Sequence, residues 1–218
     1  MKKLDIIYED KNIIVINKPA GLLTISTSKE KEKTLFYEVS LYLKKSNPKA
    51  KVFIINRLDK ETSGIVMFAK NQNLKYKYQE RWNELAIKRG YIAVVKGFVK
   101  DNKGTIKSYL KETKTLLVYS SDDSKNGKLA ITNYEVVKKN DKYSILNIDI
   151  KTGRKNQIRV HLKDINHPVL GDKKYGDKKD HAKRLMLHAS YLLIKNPITN
   201  KNMEFTAKVP KEFNNYGG

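Results

Sequence analysis

The 218 residues carry 45 Lys plus Arg against 23 Asp plus Glu, a formal charge of +22, with 39% hydrophobic residues and no cysteine. That length fits one domain, expected over residues 1–218, and the apolar share excludes wholesale disorder. The missing thiols exclude disulfides, thiolate metal sites and a cysteine nucleophile, and no apolar run approaches the roughly 20 residues of a membrane span. No membrane partner is expected, and a cytoplasmic location follows from the absence of a signal-peptide pattern in the opening MKKLDIIYED. The basic excess points to a polyanion, because clustered Lys and Arg displace counterions from a phosphate backbone. The plainer alternative is a lysine coat on a soluble surface.

In chain order, Leu4–Tyr8 and Asn12–Asn17 read as short strands, followed by a Lys18-Pro19-Ala20-Gly21 loop. Leu35, Val39 and Leu43 form a helical stripe behind Thr34 as N-cap. Val52–Ile55 and Ile65–Ala69 are apolar strands around a polar loop, Asn56–Gly64. Gln72–Ile87 reads as one helix with Leu74, Tyr78, Trp82 and Leu85 on a single face. Tyr91–Val99, Gly104–Leu110, Thr115–Ser120, Ala130–Lys138 and Tyr143–Ile150 read as successive strands, with turns at Gly104 and Ser120–Gly127. Asn156–Asp164 reads as a short helix, although the alternation of Ile158, Val160 and Leu162 fits a strand as well. Arg184–Ile194 and Met203–Val209 close the chain as strands around a turn at Asn196–Asn200. Strands in series without intervening helices pair antiparallel. The expected fold is α+β: a mixed, mostly antiparallel sheet with a few helices on its faces.

Six arginines stand among the 45 basic residues: Arg57, Arg81, Arg89, Arg154, Arg159 and Arg184. A lysine-rich chain that keeps arginine at a few places is expected to need the planar, bidentate fork there. The loop Asn56-Arg57-Leu58-Asp59-Lys60-Glu61-Thr62-Ser63-Gly64 sets a carboxylate between two apolar strands, where rigid elements can present it to a ligand. On residue type alone, Asp59 and Thr62 could equally be shaping a turn that ends at Gly64.

This segment resembles the Arg-Leu-Asp motif of the RluA-type RNA pseudouridine synthases, and other blocks are similar to that family in the same order. They are Tyr8–Gly21; Lys88–Gly97 around Tyr91; Thr152-Gly153-Arg154 with Gln157-Ile158-Arg159-Val160-His161-Leu162; His167-Pro168, Gly171-Asp172 and Tyr175-Gly176; and Arg184–Ala189. Six ordered blocks are far more specific than one short motif. Two positions depart from the family pattern: Asn56 replaces a histidine, and Lys155-Asn156 replace Thr-His. The family's frequent S4-type RNA-binding module is expected to be absent, so the basic catalytic domain would hold the RNA itself.

The resemblance implies a pseudouridine synthase fold that isomerises uridine in ribosomal or transfer RNA, without cofactor or metal, as a monomer. It makes Asp59 the essential carboxylate, as nucleophile or base at the sugar. Arg159 is the candidate cation beside it, with Arg154 as runner-up or phosphate contact. It places Tyr91 against the flipped uracil with a part in proton handling, Leu187 as an apolar wall and Arg57 at the vacated helical space or the flanking backbone. The four histidines, His161, His167, His181 and His188, are expected to be structural or RNA-contacting rather than metal ligands. A non-catalytic RNA-binding protein on the same fold is the competing class, and retention of Asp59 argues against it. The basic balance argues against a carboxylate-pair glycosidase.

Overall fold

The computed structural model describes residues 3–28, 30–177 and 179–216. Its contacts cluster into two units, one formed by residues 1–87 with 189–208 and the other by residues 88–188 with 209–218.

The first unit contains β1 (Ile6–Glu9), β2 (Ile13–Lys18), α1 (Leu35–Ser46), β3 (Phe53–Ile54), β4 (Ser63–Ala69), α2 (Gln72–Glu80) and α3 (Trp82–Leu85). Most of β10 (Leu187–Lys195) and all of β11 (Asn202–Thr206) belong to it too. The strand order is β1-β2-β4-β10, with β3 on β4 and β11 on β10. β2 pairs antiparallel with β4 from Ile13↔Ala69 to Lys18↔Gly64, and an isolated parallel bridge joins Leu23 to Thr34. All seven residues of β4 are buried. That is why its sequence is an unbroken apolar run: a strand covered on both faces has no polar side to alternate with. One face meets Leu35, Val39 and Leu43 of α1. The other meets Leu74, Tyr78 and Leu85 together with Leu192 and Phe205. Thr34 caps α1 as expected, its Oγ1 accepting from the Tyr37 N–H at 3.2 Å.

The helix expected over 72–87 breaks at Arg81, whose φ of −111° and ψ of 22° leave helical geometry. The four apolar residues still share one face because α3 resumes immediately, so the pattern survived the break. Ala86 and Ile87 belong instead to the next strand, where β-branched Ile87 is better accommodated.

The second unit is built on β5 (Ala86–Lys96, from Lys88 onward), β6 (Lys103–Glu112), β7 (Val118–Ser121), β8 (Lys128–Lys139) and β9 (Tyr143–Ile150). Their order is β5-β9-β8-β6-β7, and every neighbouring pair is antiparallel. α4 (Gln157–Asp164) lies after the sheet, and a 3-10 helix over Lys211–Tyr216, unforeseen in the sequence, contributes buried Phe213. Gly104 is not a turn: it lies inside β6, where an added Cβ would come within 2.6 Å of the Tyr134 ring, so the aromatic ring occupies the space. The last strands are shorter than expected, with β10 starting at Leu187 rather than Arg184 and β11 ending at Thr206.

α4 explains its own ambiguous pattern. Six consecutive residues, Gln157 to Leu162, are buried. A helix covered all round shows no polar face, so its 3.6-residue period vanishes from the sequence.

Gly64, at the start of β4, has a φ of +115°, and a Cβ there would sit 2.1 Å from the Ala189 carbonyl oxygen. Both conditions require glycine. Gly64→Ala is expected to cost more than about 3 kcal/mol of unfolding free energy, since steric overlap with backbone adds to dihedral strain. Denaturant midpoints of the two proteins measure it, and a loss below about 1 kcal/mol would contradict the close approach.

Candidate active-site residues

In the first unit, Asp59 lies half-buried on the loop between β3 and β4, with Arg57 exposed two residues earlier. The loop is tied down along its length. The Asn56 carboxamide donates to the Ile65 carbonyl at 3.3 Å and accepts from the Met67 N–H at 2.8 Å, clasping β4. Thr24 Oγ1 donates to the Leu58 carbonyl at 2.7 Å and accepts from the Leu58 N–H at 3.3 Å. The Thr62 N–H closes a turn onto the Asp59 carbonyl at 3.2 Å. So Asp59 does shape a turn, through its backbone carbonyl.

Lys18 is the deepest of these ties. It is fully buried, and its Nζ donates to the carbonyls of Pro19 (3.0 Å), Leu22 (2.8 Å) and Lys60 (3.0 Å). The Gly21 N–H reaches the same Lys60 carbonyl at 2.9 Å. A buried ammonium needs such acceptors, since desolvation of an uncompensated charge is costly. The arrangement fastens the Lys18–Gly21 loop to the residue next to Asp59. Nothing in the sequence signalled that this lysine, among so many, points inward.

In the second unit, Arg159 of α4 is nine-tenths buried and forms a bidentate pair with Asp172, Nε to Oδ2 and Nη2 to Oδ1, both at 2.7 Å. Its Nη1 donates to Asn156 Oδ1 at 3.1 Å, and its guanidinium lies 5.1 Å from the Tyr175 ring centroid. Asp172 Oδ1 also accepts from the N–H groups of Lys174 (2.9 Å) and Tyr175 (3.0 Å). Burial raises the Asp172 carboxyl pKa, but the Arg159 hydrogen bonds and charge, with the two backbone donors, hold it below the usual value. Preceding Asp172, Gly171 has a φ of +72° and a Cβ position within 1.9 Å of the Arg184 carbonyl oxygen. The fork anticipated for Arg159 is therefore present, and Asp172 is a partner the sequence reading overlooked. The signal was an acid thirteen residues downstream, inside the motif block that contains Gly171-Asp172.

Arg154 is exposed, its Nε donating to the Leu129 carbonyl at 3.0 Å. Gln157 organises the loop that carries it: Oε1 accepts from Thr152 Oγ1 (2.7 Å) and the Arg154 N–H (3.0 Å). Its Nε2 donates to the Ile131 carbonyl and Thr132 Oγ1, each at 3.0 Å. Tyr91 is half-buried on β5 opposite Ile148 of β9, and it packs against the buried cluster that contains Leu187. Arg184 braces the entry to β10, donating to the carbonyls of Leu185 (3.1 Å) and Leu187 (3.4 Å).

His161 is fully buried one turn beyond Gln157. Its Nδ1 lies 2.9 Å from Thr132 Oγ1 and its Nε2 3.0 Å from Ser108 Oγ, which continues through Ser120 Oγ (2.8 Å) to the Asp164 carboxylate (2.5 Å). Burial pushes its pKa down to about 4 against the opposing charge of Asp164. His167 Nδ1 meets the Lys96 carbonyl at 2.9 Å. Among the described residues no cluster of three His, Asp or Glu side chains is placed to hold a metal ion, and no helix is long and apolar enough to cross a membrane.

Comparison with known proteins identifies the family to which the chain is similar. Residues 12–164 match the family model described as RNA pseudouridylate synthase. The ribosomal large subunit pseudouridine synthase C of Rickettsia bellii is 37% identical over 215 residues, covering 96% of this chain and 69% of that protein. The tRNA pseudouridine synthase C of Haemophilus ducreyi is 33% identical over 238 residues, covering 99% of this chain and 96% of its own. Among solved structures, human RNA Pseudouridylate Synthase Domain Containing 1 shares the fold with a TM-score of 0.77, at 24% identity over 95% of this chain and 84% of that one.

The buried histidine has a measurable consequence. The unfolded chain takes up this proton near the ordinary histidine pKa, the folded chain only near 4, so stability is lost as pH falls through that window. Between about pH 7 and about pH 5 the wild type is expected to lose about 2 kcal/mol more than His161→Gln, which has no proton to gain. Urea unfolding at the two pH values measures the difference, and equal losses would contradict it.

Proposed function

The chain belongs to the RNA pseudouridylate synthase family, and from that premise we propose that Asp59 is the residue on which its isomerisation of uridine to pseudouridine turns. The reaction breaks the N1–C1′ glycosidic bond and joins C1′ to C5. A proton leaves C5 and N1 ends protonated, so the atoms balance within the substrate and a proton from solvent. What the protein must supply is a group that stabilises or captures C1′ while the base turns. The observation that carries the assignment is the bracing of the Asp59 loop: ties from Asn56, Thr24, Lys18 and Gly21 fix its backbone on either side of a half-buried carboxylate. A nucleophile or base held by rigid elements spends no free energy on ordering at the moment of reaction.

The remaining roles are those that the family resemblance implies. Arg159, oriented by Asp172, is the guanidinium that the family resemblance pairs with the catalytic carboxylate, a role that needs its planar fork. Tyr91 stacks on the extruded uracil, and Leu187 in the cluster beneath it keeps that pocket dry. Exposed Arg57 and Arg154 contact the RNA backbone, where a charge excess of +22 gives binding a steep salt dependence. The RNA is ribosomal or transfer RNA, the two substrates named for the relatives above. The chain acts as a monomer in the cytoplasm, with no cofactor in the cycle.

Asp59→Asn leaves the loop ties of Asn56, Thr24, Lys18 and Gly21 in place, since they reach other residues of the loop, and removes a carboxylate oxygen. With RNA labelled at uridine C5 with tritium, taken from cells lacking the enzyme, tritium release is expected to fall by at least about 1,000-fold while RNA affinity stays within about threefold. Turnover near that of the wild type would remove Asp59 from catalysis and favour the competing reading, a protein that only binds RNA.

A further inference from the structure

Asn156 stands where the family resemblance expects a histidine, and the environment of its side chain shows what the exchange accomplishes. The residue precedes α4 with a φ of 55° and a ψ of 16°, in the left-handed region where asparagine is among the few comfortable side chains. Backbone tolerance would account for an exposed asparagine. This one is buried at 8% exposure, and both ends of its carboxamide are used. Oδ1 accepts from Arg159 Nη1 at 3.1 Å, while Nδ2 donates to the Tyr175 hydroxyl at 3.0 Å. The same hydroxyl accepts from the Val118 N–H of β7 at 3.0 Å, and the Tyr175 ring lies 5.1 Å from the Arg159 guanidinium. Asn156, Arg159 and Tyr175 thus close a circuit anchored to the β-sheet.

We propose that Asn156 is a positioning residue for the reaction, fixing the rotation of the Arg159 guanidinium through a circuit with Tyr175. The proposal rests on the role given to Arg159 above. Asp172 holds the Nε–Nη2 edge of the fork, and Asn156 adds a hold on Nη1, outside that edge, that resists rotation of the group. The carboxamide does this without charge. A second carboxylate at this place would add a negative group beside the cation and weaken its effect on a catalytic carboxylate.

The test uses the full chain and the tritium-labelled RNA named above. Asn156→Gly keeps the left-handed turn and removes only the carboxamide, so its effect separates side chain from backbone. The expected result is a fall in kcat of about 10- to 100-fold with KM within about threefold, since misplacement of a positioned group costs turnover more than binding. Tyr175→Phe, which removes the hydroxyl anchor without touching Asn156, is expected to lower kcat in the same way. The double variant should be little worse than Asn156→Gly, because both act through one circuit. Independently of activity, the Arg159 Nε–H resonance is expected to show slow guanidinium rotation in the wild type and fast rotation in either variant. Wild-type kcat in Asn156→Gly, a loss confined to KM, or unchanged rotation would overturn the proposal. If the glycine variant does not fold, Tyr175→Phe and the rotation measurement decide it alone. A wild type that releases no tritium would defeat the reading of the reaction itself, leaving the rotation measurement to judge the circuit.

Discussion

Arg159 and Asp172 form a bidentate ion pair that is almost wholly buried, the Asp172 side chain completely and that of Arg159 at 10% exposure, and its neighbours in the second unit are arranged around the need to satisfy it. Removing two charges from water costs several kcal/mol each, which attraction offsets only if geometry is good and the remaining donors and acceptors are filled. Each requirement is met by an identifiable group. The two short parallel bonds use the fork's planarity, the Lys174 and Tyr175 N–H groups fill Asp172 Oδ1, and Asn156 takes an Nη1 proton. Lysine could supply the charge but not this edge. The pair also binds α4 to the segment after Gly171, so the helix, that turn and Tyr175 are fixed by one interaction.

The first unit solves a similar problem with a different chemistry. Its buried cation, Lys18, is matched by three backbone carbonyls. Carbonyls belong to loops, so the charge gathers loops: Pro19 and Leu22 on one side, Lys60 beside Asp59 on the other. A compact ammonium with three donors suits three carbonyls, as a planar fork suits a carboxylate. In both units a buried charge serves as a fastener for irregular chain, which hydrophobic packing alone holds poorly.

Much of the fold was legible in the sequence because the apolar spacing carries it. α1 with its Thr34 cap, the strands β2 and β4 and the run of strands from β5 to β9 follow from period and propensity. The failures have physical causes. The break at Arg81 left the apolar face in phase, so periodicity could not register it. Gly104 was taken for a turn because a glycine that makes room for the Tyr134 ring looks the same in a sequence as one that bends the chain. α4 was ambiguous because burial on all sides erases the helical period. The motif blocks singled out Asp59, Tyr91 and Arg159 for roles, whereas Asp172, Lys18 and Asn156, though inside those blocks, were given none. Their work is to hold other residues, and an interaction partner far along the chain leaves no local pattern.

The most direct test of the Arg159–Asp172 claim is Asp172→Asn, which keeps size and most hydrogen bonding but removes the countercharge. A buried guanidinium left without it is expected to lower the unfolding free energy by about 3 kcal/mol, measured by denaturant titration at neutral pH. An unfolding free energy within about 0.5 kcal/mol of wild type would mean that the charge pair does not hold this part of the molecule together.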